Sequence, residues 1–195
     1  MGCIAEDRSA CPHPRGVSVR LTVCPDPMTA VTRTTDEEAI RDLNLYLYDD
    51  DGEIVLHRYQ SSSTLRFTSL PGNYRMRIAA NMGRDLGENP ASEDFTVTHA
   101  DEYDTLPMSY EGDVTITSSS GGILTLPVVE VQRVVTKVSY DIAVKPADIE
   151  LRSVQLCSVP RAVSVFDVAA RPSDAPDDYT DCPESGISGQ HISGN

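Results

Sequence analysis

Residues 35–81 read TDEEAIRDLNLYLYDDDGEIVLHRYQSSSTLRFTSLPGNYRMRIAAN, and the alternation within this stretch decides the fold class. Leu43, Leu45 and Leu47 alternate with Asn44, Tyr46 and Tyr48, the period of two expected of a half-buried strand. Asp49-Asp50-Asp51-Gly52 follows with hairpin-turn chemistry, because Asp and Gly tolerate the positive φ that such turns require. Leu65 and Phe67 alternate with Arg66 and Thr68 in a further strand. Leu70-Pro71-Gly72 turns the chain, and Tyr74, Met76, Ile78 and Ala80 then alternate with Arg75, Arg77, Ala79 and Asn81. This antiparallel meander predicts an all-β sandwich or barrel rather than an α/β enzyme.

The flanking sequence extends the pattern. Residues 1–15 read as a tether, charged and interrupted by Pro12 and Pro14. Gly16 to Cys24 is a first strand of alternating Val and Leu, ended by Pro25 and Pro27. Thr35 is placed to cap a short helix through Arg41, with acids in its first turn. Residues 82–92 read as a loop or one irregular helical turn, Asp94–Thr98 as a short strand and Leu106–Tyr110 as an edge segment, since Pro107 cannot donate to a ladder. A domain boundary is expected near Glu111-Gly112-Asp113, giving a tether (1–15), an N-terminal β-sandwich (16–112) and a C-terminal one (113–195).

In the second unit, Ser118–Gly122 is a turn before a strand at Ile123–Val129. The longest strand signal follows from Arg133 to Lys145, with Val134, Thr136, Val138, Tyr140, Ile142 and Val144 on one face. Arg152–Ser158 and Ala162–Val168 offer two more strands, and residues 171–195 dissolve into Pro, Gly, Ser and Asp. A sandwich of this size needs about seven strands. The second unit is therefore expected to be truncated or completed by strands from elsewhere.

Composition removes several function classes. The formal charge of −14 opposes a nucleic-acid partner, which needs a basic footprint. No run of about 18 apolar residues is present to span a bilayer as a helix. Trp is absent and 39% of residues are hydrophobic, so aliphatic side chains must fill the core. The four histidines, His13, His57, His99 and His191, have no Ser or Cys partner in a catalytic motif, and no cofactor or metal is expected. Residues 47–53 imitate a calcium loop only superficially: with Gly52 sixth, Leu47 would take the first ligand position without an oxygen. Enzyme activity is not expected.

The five cysteines are Cys3, Cys11, Cys24, Cys157 and Cys182, none at zinc-site spacing. Cys3 follows a small residue and precedes a polar stretch, as after removal of a lipoprotein signal peptide; a free thiol is the alternative. The other four could pair as Cys11–Cys24 and Cys157–Cys182, although four cysteines allow three pairings. Cys24 shares the polar strand face of Ser18, Arg20 and Thr22, and Cys157 is out of phase with its apolar neighbours. Two cysteines outside the core suit export and pairing.

Asp42–Gly52 (DLNLYLYDDDG), Leu70-Pro71-Gly72-Asn73-Tyr74 and Ala79-Ala80-Asn81 together resemble the N-terminal domain of the Bacteroidetes-type fimbrillins, subunits of type V pili. Leu126-Pro127 through Arg133–Val138 is similar to the start of that family's second domain, and Val154–Pro160 to its next strand. Cys3–Pro12 (CIAEDRSACP) resembles the mature start of the anchor branch, in which the first cysteine carries lipid. The resemblance covers roughly residues 3–168. It implies two transthyretin-like or Ig-like antiparallel β-sandwiches in tandem, export as an outer-membrane lipoprotein with Cys3 lipidated, and assembly with other fimbrial subunits by donor-strand exchange.

Stem subunits of the family lose their first strand after an arginine, for which Arg15, Arg20 and Arg33 are the candidates here, Arg15 and Arg33 foremost. Anchor subunits keep it. The tail from Ser185 to Asn195 has no alternating apolar run to serve as a donor strand, a departure from the pattern. The expected role is thus a fimbrial anchor or accessory subunit, with a cleaved stem or tip subunit as alternative. A third reading is a surface module for a host or bacterial ligand such as a glycan, with Tyr46 and Tyr48 or the 82–92 loop as its platform.

Overall fold

The computed structural model describes residues 16–27, 39–98, 105–118, 122–135, 140–143, 151–166, 178–182, 185–186 and 191–194. The described residues form an all-β molecule. Its main sheet contains β1 (Val17–Pro25), β2 (Leu43–Tyr48), β3 (Ile54–Gln60), β4 (Thr64–Ser69), β5 (Gly72–Ala80), β7 (Met108–Ile116), β8 (Leu124–Thr125) and β9 (Val129–Arg133). The order is β3-β2-β5-β7-β9-β1-β4, with β8 also beside β1. β3 and β4 stand at opposite ends of this path, yet only Ser61–Ser63 separates them in the chain. The sheet must therefore roll around on itself, and its inner face becomes the core.

That inner face is the alternating apolar row of each strand. Val17, Val19, Leu21 and Val23 from β1 meet Leu43, Leu45 and Leu47 from β2, Leu65 and Phe67 from β4, and Met76, Ile78 and Ala80 from β5. Burying one such side chain contributes about 1.5–3 kcal/mol, so the row of β1 alone is a large part of the stability. The Asp49–Gly52 turn forms as its sequence directs. The Asp49 carboxylate accepts from the N–H groups of Asp51 and Glu53, at 3.0 and 2.9 Å, and Gly52 takes a φ of 82°.

The outer face of β2 and β5 is also covered. A 3-10 turn at Ser92–Phe95 leads into β6 (Thr96–Thr98), which pairs with β13 (Ala162–Ser164). Tyr46, Ala79, Leu86, Val97, Val134 and Val165 form a second buried cluster there. Residues 162–166 thus pack on a sheet built mostly from the first half of the chain.

Several expectations need correction. The sheet is mixed rather than purely antiparallel, because β1 runs parallel to β8 and β9. The domain boundary expected near Glu111–Asp113 falls in the middle of β7, which pairs unbroken with β5 from Met108 to Ile116. The expected strand Arg133–Lys145 is interrupted. β9 ends at Arg133, Val134 and Val135 bend, and β10 (Tyr140–Ala143) pairs instead with β16 (His191–Gly194). The bend has a cause: the Val134 N–H donates to Pro107 O at 3.0 Å and its side chain enters the second cluster. The remaining ladders are short: β11 (Ser153–Val154) with β15 (Ser185–Gly186), and β12 (Val159–Pro160) with β14 (Tyr179–Thr180). The short helix expected from Thr35 falls largely outside the described residues.

Candidate assembly surface

β1 is the element on which an assembly role turns. It lies within the sheet path, antiparallel to β4 from Val17↔Ser69 to Thr22↔Thr64, with β8 and β9 on its other edge. Its inward residues are 0–4% exposed. Leu126 N–H donates to Arg20 O, and Asp26 N–H to Val131 O, both at 2.9 Å, so the pairing extends beyond the strand ladders. Removing β1 would leave an apolar trough open to water between β4 and β9.

A second feature lies along β7. One edge of this strand is fully paired with β5, whereas β9 meets its other edge only at Met108↔Arg133 and Ser109↔Gln132. Among the described residues, no strand takes the edge from Tyr110 to Ile116. A groove of about 630 Å³ runs beside it, lined in part by Tyr110, Asp113, Val114, Val128, Glu130 and Phe166. An unpaired edge with apolar and acidic pockets can accept an added strand.

The polar motifs of the first half hold this frame. In Leu70–Tyr74 the Tyr74 hydroxyl donates to Leu70 O at 3.0 Å, and its ring lies over Gly72, where an added Cβ would come within 3.1 Å of that hydroxyl. Tyr110 covers Gly112 on β7 in the same manner. Asn81, at φ 59°, donates to Ala39 O and Leu106 O at 3.0 Å and accepts from Arg41 N–H at 2.8 Å. One side chain thus ties three segments together. Asp42 accepts from the N–H groups of Met82 and Gly83, Asn44 from that of Leu86, and the Tyr46 hydroxyl donates to Gly87 O. The outward row of β2 therefore pins the 82–87 loop to the sheet.

These contacts take Tyr46 out of the expected glycan platform. Tyr46 is 0% exposed, stacks on His57 at 4.6 Å and meets Phe95 edge-on. Desolvation, then the nearby charges, push its hydroxyl pKa well above the ordinary value. Tyr48 lies under the Arg77 guanidinium, which is also 5.1 Å from the Phe166 ring centroid. Arg77 and Arg75 both reach Glu111; although desolvation opposes it, they hold the Glu111 carboxyl below its usual value.

The other candidate residues are dispersed. Cys3, Cys11, Arg15 and Arg33 lie outside the described residues. Cys24 sits on the outer row of β1 with a free, partly exposed thiol; desolvation, then Glu130 and Asp26, raise its pKa. Cys157 and Cys182, also free thiols, stand near one another. Asn81, Arg77 and the β7 edge are the features that sequence reading did not single out as functional or structural sites. The quoted Ala79-Ala80-Asn81 motif was the available signal for the first.

The fold described above has counterparts among solved structures. The C-terminally truncated tip fimbrial protein Mfa3 from Porphyromonas gingivalis is 20% identical and superposes with a TM-score of 0.58 over 92% of this chain and 68% of that one. This is the fimbrillin-like fold. A fimbrial assembly protein from Parabacteroides distasonis shares it at 12% identity and a TM-score of 0.51, over 92% of this chain and 76% of that one. No protein-family model and no curated protein matches the chain. The fimbrillin-like fold therefore rests on three-dimensional likeness together with the short motifs placed above.

Proposed function

We propose that the chain is a structural, non-enzymatic subunit of cell-surface fimbriae, held at the outer membrane through lipid on Cys3 and joined to other fimbrial subunits by β-strand complementation. The observation that supports this reading is β1, which pairs within the sheet and buries its apolar row there. A subunit that keeps this strand has no open trough there and suits an anchor or accessory position. The β7 edge from Tyr110 to Ile116, unpaired among the described residues, and its groove offer a place for a neighbour's strand. In this reading the short ladders after Tyr140 belong to a second sandwich in tandem with the main sheet.

The position of Arg33 favours one alternative. Cleavage there would separate β1 from β2 and free the strand, as a polymerising stem or tip subunit requires. Cleavage after Arg15 would leave β1 in place and cannot serve that purpose. Mass spectrometry of the mature N-terminus, after expression with a lipoprotein signal in a Bacteroidetes host, separates the readings. A diacyl or triacyl mass on Cys3 with β1 attached supports the anchor. An N-terminus at Thr34 supports the stem. An unmodified, uncleaved N-terminus overturns both.

A further inference from the structure

Cys157 and Cys182 lie between two short antiparallel ladders that keep one register. On one side Val154 stands opposite Ser185, and on the other Val159 stands opposite Thr180. Carried inward from either side, that register brings Cys157 level with Cys182. Between the ladders the pairing is bulged, with Ser158 at a φ of 56° and the Cys182 bond one place off the register, yet the two strands stay joined. Cys182 N–H donates to Leu156 O at 2.8 Å, and Ser158 N–H donates to Asp181 Oδ1 at 2.9 Å. The Gln155 amide spans the pair, with Nε2 donating to Cys182 O at 2.9 Å and Oε1 3.8 Å from Cys157 Sγ. Facing residues of an antiparallel pair have Cα atoms about 4.5–5.5 Å apart. A disulfide bridges Cα separations of about 4.4–6.8 Å.

We propose that Cys157 and Cys182 close as a cross-strand disulfide that locks the β11–β12 segment to β14–β15. The pairing stands on this geometry and needs only an oxidising compartment, so it is independent of the assembly reading. Closure removes two electrons and two protons from the dithiol. A thiolate at one cysteine attacks a disulfide of the oxidant, either oxidised glutathione or a thiol–disulfide oxidoreductase, and one oxidant thiol leaves. The second cysteine, deprotonated in turn, attacks the mixed disulfide at its partner's sulfur and expels the other oxidant thiol. One dithiol is oxidised and one disulfide is reduced to two thiols.

The surroundings suit a structural bridge rather than a redox sensor. Desolvation, then Asp181 and Cys182, push the Cys157 thiol pKa up. A thiol of raised pKa is scarce as thiolate at neutral pH and leaves slowly once bridged. The flanking ladders have two rows each and little fully buried surface to hold them. A covalent tie closing the chain between Cys157 and Cys182 would restrict the open forms of this segment.

The test uses the full chain equilibrated with a mixture of oxidised and reduced glutathione, then alkylated with iodoacetamide before any reduction and digested with trypsin. Cys157 lies in the peptide Ser153–Arg161. Cys182 lies in Ala162–Asn195, because Pro172 protects the bond after Arg171. The expected product is these two peptides joined, two hydrogens lighter than their sum and separated by dithiothreitol. Two alkylated peptides, or either cysteine joined to Cys24 or Cys11, would overturn the pairing. Limited tryptic cleavage after Arg161 reads the lock itself: it should accelerate about tenfold on reduction and in the C157S/C182S double variant, as expected when local opening limits proteolysis. Equal cleavage in all forms would overturn the locking role.

Discussion

β5 and β7 pair row by row from Gly72↔Ile116 to Ala80↔Met108, whereas β11 and β15 share two rows, as do β12 and β14. The same chain therefore contains two kinds of β structure. In the main sheet each strand contributes an alternating row to one core, and long ladders share their stability cooperatively. In the segments after Tyr140 the ladders are brief and most described side chains are half-buried or exposed. These segments hold on through docking, as β13 does on β6, or through side-chain clamps such as Arg77 against Phe166. The contrast teaches that an alternating sequence forms a stable sheet only where its apolar row finds a facing row.

The sharpest way to break this comparison is Leu21→Ala. Leu21 is fully buried on β1, and the change should destabilise the main sheet by about 2–5 kcal/mol in denaturant unfolding. Amides of 153–160 and 179–186 should keep their native exchange rates, because they exchange through local opening. A uniform rise across both regions would show one cooperative unit instead of two.

Asn81→Ala should cost roughly 2–3 kcal/mol, since Ala39 O, Leu106 O and Arg41 N–H lose their partner and alanine resists the positive φ. Asn81→Gly restores the backbone conformation but not the bonds, so its melting temperature should fall between the two. An Asn81→Ala protein as stable as the wild type would remove the staple from the account.

Arg77→Met tests how the later segment docks. It removes the ion pair to Glu111 and the ring contacts to Tyr48 and Phe166. Stability should drop by about 1 kcal/mol. Hydrogen exchange should quicken at 162–166 while β1 and β4 stay protected. Unchanged exchange at 162–166 would mean that β6 pairing alone holds this segment.

The smallest effect concerns pH. Desolvation lowers the pKa of His57 from its ordinary 6.5, although Asp85 and Glu88 work against it and Arg58 with it. The unfolded chain then binds the proton at higher pH than the folded one, so stability is full above 6.5 and falls as pH drops through that value. His57→Gln should flatten the melting-temperature profile in this window. An unchanged slope would assign it to other groups.

The first half of the fold was legible because its strands bury one face and carry local turn chemistry at Asp49–Gly52 and Leu70–Gly72. β1, β2, β4 and β5 follow directly from alternation. The outward row of β2 was not legible: Asn44 and Tyr46 look solvent-facing until the 82–97 segment and residues 162–166 cover them. Gly112 resembled a linker residue because its covering ring, Tyr110, becomes apparent only with the strand in place. The run after Arg133 has a strand's period, yet Val134 is drawn into the second cluster and the ladder stops. Parallel pairing of β1 with β8 and β9, and the shortness of the β7–β9 pairing, depend on long-range register that no local pattern encodes. The fimbrial motifs marked this frame correctly, while the residues proposed for lipid and cleavage lie beyond it.

The most direct test of the account removes β1 and offers it back. A chain lacking residues 16–25 should be unfolded or aggregated alone and should regain the wild-type circular dichroism and a cooperative melt when a synthetic peptide of residues 16–25 is added in trans. The same peptide with Leu21→Asp should fail to restore either. A deleted chain that folds to a stable monomer without peptide would contradict the claim that this strand completes the sheet.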